Sequence, residues 1–434
     1  MNPGKGVIIL LIHIVQKGDN LYALSKRYGL AMQKIIDDNS IKNPERLMIG
    51  QALVIDTDRL RHTVAAGESL YKIAQSYGVT VDNLLQSNRE ITDPARIYTG
   101  QMITIPLNSE KSGTIEVNGY AFPNIGSNTL SKTLPYLTYL SPFSHQVRAD
   151  GTLGPLAVGS LVQKAREGRV APLLVITNIK TGGGFDSSLA HTILSSTQLQ
   201  DTLLDNIIKA LNNGYYGLDI DFEYIYPQDR EEYNRFLRKA VNRLHALGYI
   251  VSTALAPKIS STQRGILYEG HDYPVHGSLV DHVILMTYEW GYTYGPPQAV
   301  APIDQVEKVI KYAVSVIPNR KILMGIPNYG YDWTLPFVQG TAARSLSNTA
   351  AIDLAVREGA AIQYDSQSQA PFFNYNDEEG RRHIVWFEDA RSIKAKLTLV
   401  SKYNLGGVSY WTINSFFPQN WLVLSSMFNI RKVL

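Results

Sequence analysis

From residue 115 onward the chain alternates short apolar runs with amphipathic stretches, and this alternation restricts its fold more than any other feature. Eight runs read as strands: 117–123, 136–144, 171–179, 216–224, 250–258, 281–289, 321–330 and 406–414. Between them, stretches such as 203–213 and 230–248 repeat apolar residues at three- and four-residue intervals, the period of a helix with one buried face. Strand–helix alternation produces a parallel sheet covered on both faces, and eight units in about 320 residues fit a closed (β/α)8 barrel. A doubly wound open sheet is the alternative, but no Gly-x-Gly-x-x-Gly follows the first strand. The seventh and eighth runs are too far apart for one helix. The segment NYNDEEGRRHIVWF between them predicts a hairpin turning at Asp377 to Gly380, so an inserted α+β subdomain is expected at about 336–388.

Parallel strands covered on both faces should read as nearly continuous apolar runs. The fourth does not. In YGLDIDFE (216–223), Leu218, Ile220 and Phe222 alternate with Asp219, Asp221 and Glu223. Period-2 geometry sends the apolar set to the helices and the acids into the barrel lumen. Like charges buried together are costly, so at least one acid should hold its proton at neutral pH, the state a general acid needs. Glu223 lies nearest the carboxyl end of the strand, where barrel active sites form. A solvated acidic edge strand is the competing reading, and the barrel pattern argues against it.

The first hundred residues contain a duplication. HIVQKGDNLYALSKRYGL (13–30) aligns without a gap on HTVAAGESLYKIAQSYGV (62–79). Each copy continues to an Asn (Asn39, Asn88) and then to IGQALVI (49–55) or TGQMITI (99–105). Each unit reads strand, helix, helix, strand, with Gly18 and Gly67 at tight turns and Asn20 and Ser69 as helix N-caps. These units resemble the LysM module, a βααβ domain that binds N-acetylglucosamine-containing glycans. The resemblance places modules at 10–57 and 61–107. It implies a glycan groove in each, lined by Gly18, Asp19, Asn20, Leu21, Met48 and Ile49 in the first. In the second the groove would be lined by Gly67, Glu68, Ser69, Leu70, Ile97 and Tyr98. A polar stretch at 108–115 reads as a linker, and 116–434 as the barrel domain.

GLDIDFE also resembles the catalytic strand of glycoside hydrolase family 18, whose motif is D-x-x-D-x-D-x-E. MTYE (286–289), GIPNYG (325–330), GGVSYW (406–411) and GGGF (182–185) resemble that family's other strands and turns. The resemblance implies substrate-assisted, retaining hydrolysis. Glu223 would be the acid and base, Asp221 would hold the substrate acetamide N–H, Asp219 would support Asp221, and Tyr288 would donate to the acetamide oxygen. Trp411 would form the floor of the site. Glu289, Asn328, Tyr329, Phe143 and Asn178 would line sugar subsites. The chain departs from the pattern at Tyr216, which stands at the first motif Asp, and at Glu289 and Asn414, where Asp is common. Two LysM modules before this barrel resemble spore cortex-lytic N-acetylglucosaminidases of endospore-forming bacteria. That implies spore cortex peptidoglycan as partner and substrate and the spore outer layers as location. A LysM-targeted chitinase and a silent glycan-binding protein are the alternatives.

Composition excludes several other classes. No cysteine is present, so disulfides, thiolate metal sites and cysteine nucleophiles are absent. Net charge is +3, without a Lys/Arg run, so no nucleic-acid footprint is expected. The apolar run Gly6 to Val15 is too short to span a membrane, lacks a small-residue cleavage site, and reads as a first strand rather than a Sec signal. His145, His271, His276 and His282 show no metal-ligand spacing, and no phosphate loop or serine triad appears. No cofactor, no metal and a monomeric chain are expected.

Overall fold

The computed structural model describes residues 10–107 and 111–434. The leading residues of the amino-terminal apolar run and three residues of the expected linker lie outside the described residues.

Eight parallel strands form the barrel: β1 (Thr114–Ala121), β2 (Tyr139–Pro142), β3 (Ala171–Thr177), β4 (Gly217–Asp221), β5 (Ile250–Leu255), β6 (His282–Leu285), β7 (Ile322–Pro327) and β8 (Gly407–Trp411). Each pairs with its neighbour in chain order, and β8 closes on β1 with Val408 opposite Val117. All eight strand-like runs become barrel strands. β4 carries the expected alternation: Leu218, Ile220 and Phe222 are fully buried in the core shared with the outer helices. A separate lumen cluster gathers Tyr120, Val175, Ala254, Ile284 and Leu323 from β1, β3, β5, β6 and β7, with Phe143, Met286 and Trp411 packed against it. At the barrel base, Tyr216 packs near Tyr139 and the carboxyl-terminal Val433 and Leu434, an aromatic plug where the family motif has a charge.

The insertion is a five-stranded antiparallel sheet backed by the helix Asn348–Glu358. It begins at Gly330, earlier than the expected start near 336, because the chain leaving β7 continues directly into the extended segment Gly330–Leu335. The hairpin turns as expected, with Asn376 opposite Arg382 and Asp377 N–H bonded to Arg381 O.

Each amino-terminal unit pairs its first and last strands antiparallel, Leu11–Ile14 with Ala52–Ile55 and Arg59–Thr63 with Met102–Pro106. Asn20 and Ser69 cap the first helix of each unit by accepting from Ala23 N and Lys72 N. Gly18 and Gly67 turn with φ of 95° and 81°, a region open to glycine. Asn39 and Asn88 each tie the second helix to the last strand, donating to Val54 O and Thr104 O and accepting from those residues' N–H groups. No described helix is long and apolar enough to cross a membrane.

Candidate active site

At the carboxyl end of the barrel a cavity of about 600 Å³ opens, lined by Asp221, Glu223, Tyr288, Glu289 and Trp411 together with aromatic and aliphatic side chains. Among the described residues, no Lys, Arg or His lines it. The three acids of the fourth strand have different environments. Asp219 is sealed in the lumen: Tyr120 Oη and Ser252 Oγ each donate to it at 2.6 Å. Asp221 is buried at the cavity wall, and its Oδ1 has no hydrogen-bond partner among the described residues. Glu223 lies just beyond the end of β4, half-buried and facing the open space.

Burial raises the pKa of all three. For Asp219 the two donated hydrogen bonds offset part of that rise. Asp221 is pushed well above the usual carboxylate range, by burial first, then by Glu223 and Asp219. Glu223 rises from 4.5 to about 7, by burial first and the charge of Glu289 second. Asp221 and Glu223 therefore act as one coupled pair that retains a proton near neutrality.

Tyr288 lies on the wall, with burial and the neighbouring acids raising its pKa far enough to keep it a hydrogen-bond donor. Trp411 stands at the centre of an edge-to-face aromatic group, 4.7 Å from Phe143, 5.4 Å from Tyr120 and 5.6 Å from Phe122 between ring centres. Glu289 adopts φ 67°, unusual for a residue with a side chain. Its carboxylate accepts from Tyr329 Oη and, at 3.1 Å, from Tyr331 Oη. Burial raises its pKa and the two tyrosines oppose that rise.

Three residues read from sequence as subsite residues do not line the cavity: Tyr329, whose hydroxyl donates to Glu289, and two asparagines. Asn178 is fully buried and absent from the cavity lining. Its Oδ1 accepts from Glu223 N–H at 3.0 Å and its Nδ2 donates to Glu223 O at 2.9 Å, so it clamps the peptide that carries the acid. Asn328 donates to Thr412 O and Ser415 O and, through its own N–H, to Trp411 O, fixing the chain under the aromatic floor. Both amides are consumed by backbone groups and have no donor left to offer a sugar. Asn414 does similar work, accepting from Phe122 N–H to tie the ends of β8 and β1.

His271, which shows no metal-ligand spacing in the sequence, is a structural residue beside the site. It is fully buried, accepts from Ala256 N–H through Nδ1 at 2.9 Å, and through Nε2 donates to Phe222 O at 2.9 Å. It thereby links the ends of β4 and β5 immediately before Glu223. A lone histidine in a loop carries no sequence pattern that would reveal this. Tyr224, Tyr268 and Tyr292 line the cavity and were not identified from the sequence.

In the amino-terminal units, Asp19 and Glu68 are engaged internally. Each accepts from a histidine Nε2 at 2.8 Å (His13, His62) and from a backbone N–H at 2.7 Å (Gln16, Ala65), bracing the turn from within. Met48 is buried against the barrel, whereas Ile49 and Tyr98 are exposed.

Comparison with known proteins agrees with this architecture. The family model for glycosyl hydrolases family 18 matches residues 167–415, and the LysM domain model matches 13–56 and 62–106. The cortical fragment-lytic enzyme of Bacillus subtilis (strain 168) is 46% identical over 431 residues, covering 97% of this chain and 99% of that one. The crystal structure of the spore cortex-lytic enzyme SleL of Bacillus megaterium QM B1551 superposes with a TM-score of 0.91 at 40% identity, covering 98% of this chain and all of that one. A chitinase of Chromobacterium violaceum superposes with a TM-score of 0.67 at 25% identity over 72% of this chain and 98% of its own. The chain belongs to glycosyl hydrolases family 18, with two LysM domains ahead of its (β/α)8 barrel.

Proposed function

We propose that this glycoside hydrolase is a retaining, substrate-assisted N-acetyl-β-D-glucosaminidase that cuts spore cortex peptidoglycan or its fragments. The observation that carries the chemistry is the pair at the cavity wall: Asp221 with an unpartnered buried oxygen, beside Glu223 with a pKa raised to about 7. Glu223 protonates the glycosidic oxygen as the bond to the anomeric carbon breaks. The carbonyl oxygen of the substrate's 2-acetamido group attacks that carbon and closes an oxazolinium ion. Asp221 accepts the acetamide N–H, which aligns the carbonyl and stabilises the positive charge. Tyr288 donates to the acetamide oxygen, and Trp411 presents an apolar surface to the sugar face. Water then opens the ring and gives its proton to Glu223, so the β configuration is kept. Asp219, already satisfied by Tyr120 and Ser252, holds the charge balance beneath Asp221.

The substrate rests on relatives named for the spore cortex that align over nearly the whole chain. The same likeness supports peptidoglycan as partner of the LysM domains and the spore outer layers as the site of action. Purified enzyme incubated with cortex muropeptides and, separately, with chitin oligomers tests the reading. Cleavage of muropeptides after N-acetylglucosamine, with the β anomer appearing first by NMR, is expected. Turnover of chitin oligomers alone would favour the second reading, a LysM-targeted chitinase, for which the superposed chitinase is the supporting observation.

A further inference from the structure

The two LysM domains share sequence and fold, yet the barrel treats them differently. Met48 and Tyr98 occupy equivalent positions, in LMIGQ and IYTGQ, and both loops are closed by the same turn, with Gln51 and Gln101 accepting from the N–H of Met48 and Tyr98 at 3.1 Å. Met48 is 7% exposed and packs into the barrel core, whereas Tyr98 is 69% exposed. A methyl group placed on Gly50 would lie 1.8 Å from Ile362 O, while one on Gly100 would meet nothing within 4 Å.

The loop of the first domain is bonded at several points. Ile362 N–H donates to Ile49 O, Arg391 donates to Gly50 O, and Gln419 Nε2 donates to Asn39 Oδ1 and Ala52 O. Its last strand, Ala52–Ile55, is buried at every residue, whereas Met102–Pro106 keeps an exposed Met102 and partly exposed Thr104. The second domain has its own small core and shares Leu60 with the core of the first.

One of the two loops that would hold a glycan in the first domain is therefore part of the joint to the barrel. In the second domain each of the two segments carries an exposed tyrosine: Tyr71, next to the turn Gly67–Leu70, and Tyr98, in the loop before the last strand. We propose that the second LysM domain captures the N-acetylhexosamine glycan, with Tyr71 and Tyr98 stacking on sugar rings, and that the first is a rigid bracket joining it to the barrel. This rests on the reading of both units as glycan modules.

Tyr22 in the first domain is the counterpart of Tyr71 and is equally prominent at 64% exposure, which gives a matched comparison. The full chain carrying Glu223→Gln, so that nothing is cleaved, is sedimented with insoluble peptidoglycan sacculi and separately with chitin beads. Tyr71→Ala and Tyr98→Ala should each weaken binding ten-fold or more, Tyr22→Ala less than two-fold, and Tyr71→Trp should retain binding by keeping a flat ring. Equal losses from Tyr22→Ala and Tyr71→Ala would overturn the division of labour, as would undiminished binding by Tyr71→Ala and Tyr98→Ala. If the Glu223→Gln chain binds neither polymer, the glycan-module reading itself fails, a result distinct from either of those. Circular dichroism on each variant separates lost folding from lost binding, and a folded Tyr71→Trp chain that does not bind counts against stacking.

Discussion

Glu223 projects from the peptide just past β4, and a clamp on each side of that peptide fixes where its carboxyl can point. As general acid it is active when protonated, so hydrolysis should fall as pH rises through about 7. Glu223→Gln should lower turnover by about 10²–10⁴-fold, measured as reducing-end release. Glu289→Gln removes a negative neighbour, which lowers the pKa of Glu223 and should move the alkaline limb of the pH–rate profile to lower pH. The same shift has a stability consequence. Because the folded-state value lies above the unfolded one, the folded chain binds more protons between 4.5 and about 7, and stability falls as pH rises through that window. Glu223→Gln removes that loss, so its melting temperature should exceed the parent's at about pH 8 and match it at about pH 4. The inward acids could be read from period-2 alternation alone. The roles of Asn178 and His271 could not, because each acts on a backbone group that only folding brings near.

Individual elements follow local chemistry closely, and their differences arise at contacts. The two LysM domains place an N-cap (Asn20, Ser69), left-handed glycines and a histidine–acid brace (His13–Asp19, His62–Glu68) at equivalent positions, although the cap and acid letters differ. Gly50 and Gly100 both have positive φ, so alanine at either strains the backbone by about 1 kcal/mol. At Gly50 the added methyl also collides with Ile362 O. Gly50→Ala should therefore open the joint between the first LysM domain and the barrel and expose it to limited proteolysis, whereas Gly100→Ala leaves the joint intact. Equal protease resistance in the two variants would contradict that account. The insertion begins at Gly330 rather than near 336. Pairing of Gly330–Leu335 with Arg382–Trp386, 47 to 55 residues further along the chain, makes it a strand.

Across the whole molecule, buried polar groups tie the insertion to the barrel. Lys396 and Glu388 form an ion pair at 2.8 Å, each at most 1% exposed at the side chain. Glu388 N–H donates to Asn348 Oδ1, and the Asn348 amide approaches Asn328, which fixes the segment beneath Trp411. Removing one partner leaves an uncompensated buried charge, so Lys396→Met should cost about 3–5 kcal/mol, read from denaturant unfolding. Adding Glu388→Gln should recover much of that loss, since no charge then remains unpaired.

The sequence by itself determined the barrel, the duplicated modules and the acidic strand, because each is written as a period or a repeat: 3.6 and 2 for the elements, about 49 residues for the modules. Tertiary structure alone decided which groups hold each acid, which asparagines serve the backbone, and which LysM loop is buried. Those outcomes depend on desolvation and hydrogen bonding between residues far apart in the chain. Tyr120 and Asp219 meet across the lumen, and Gln419 bonds to Asn39, 380 residues earlier in the chain. No local pattern encodes such meetings, because the partners share no segment.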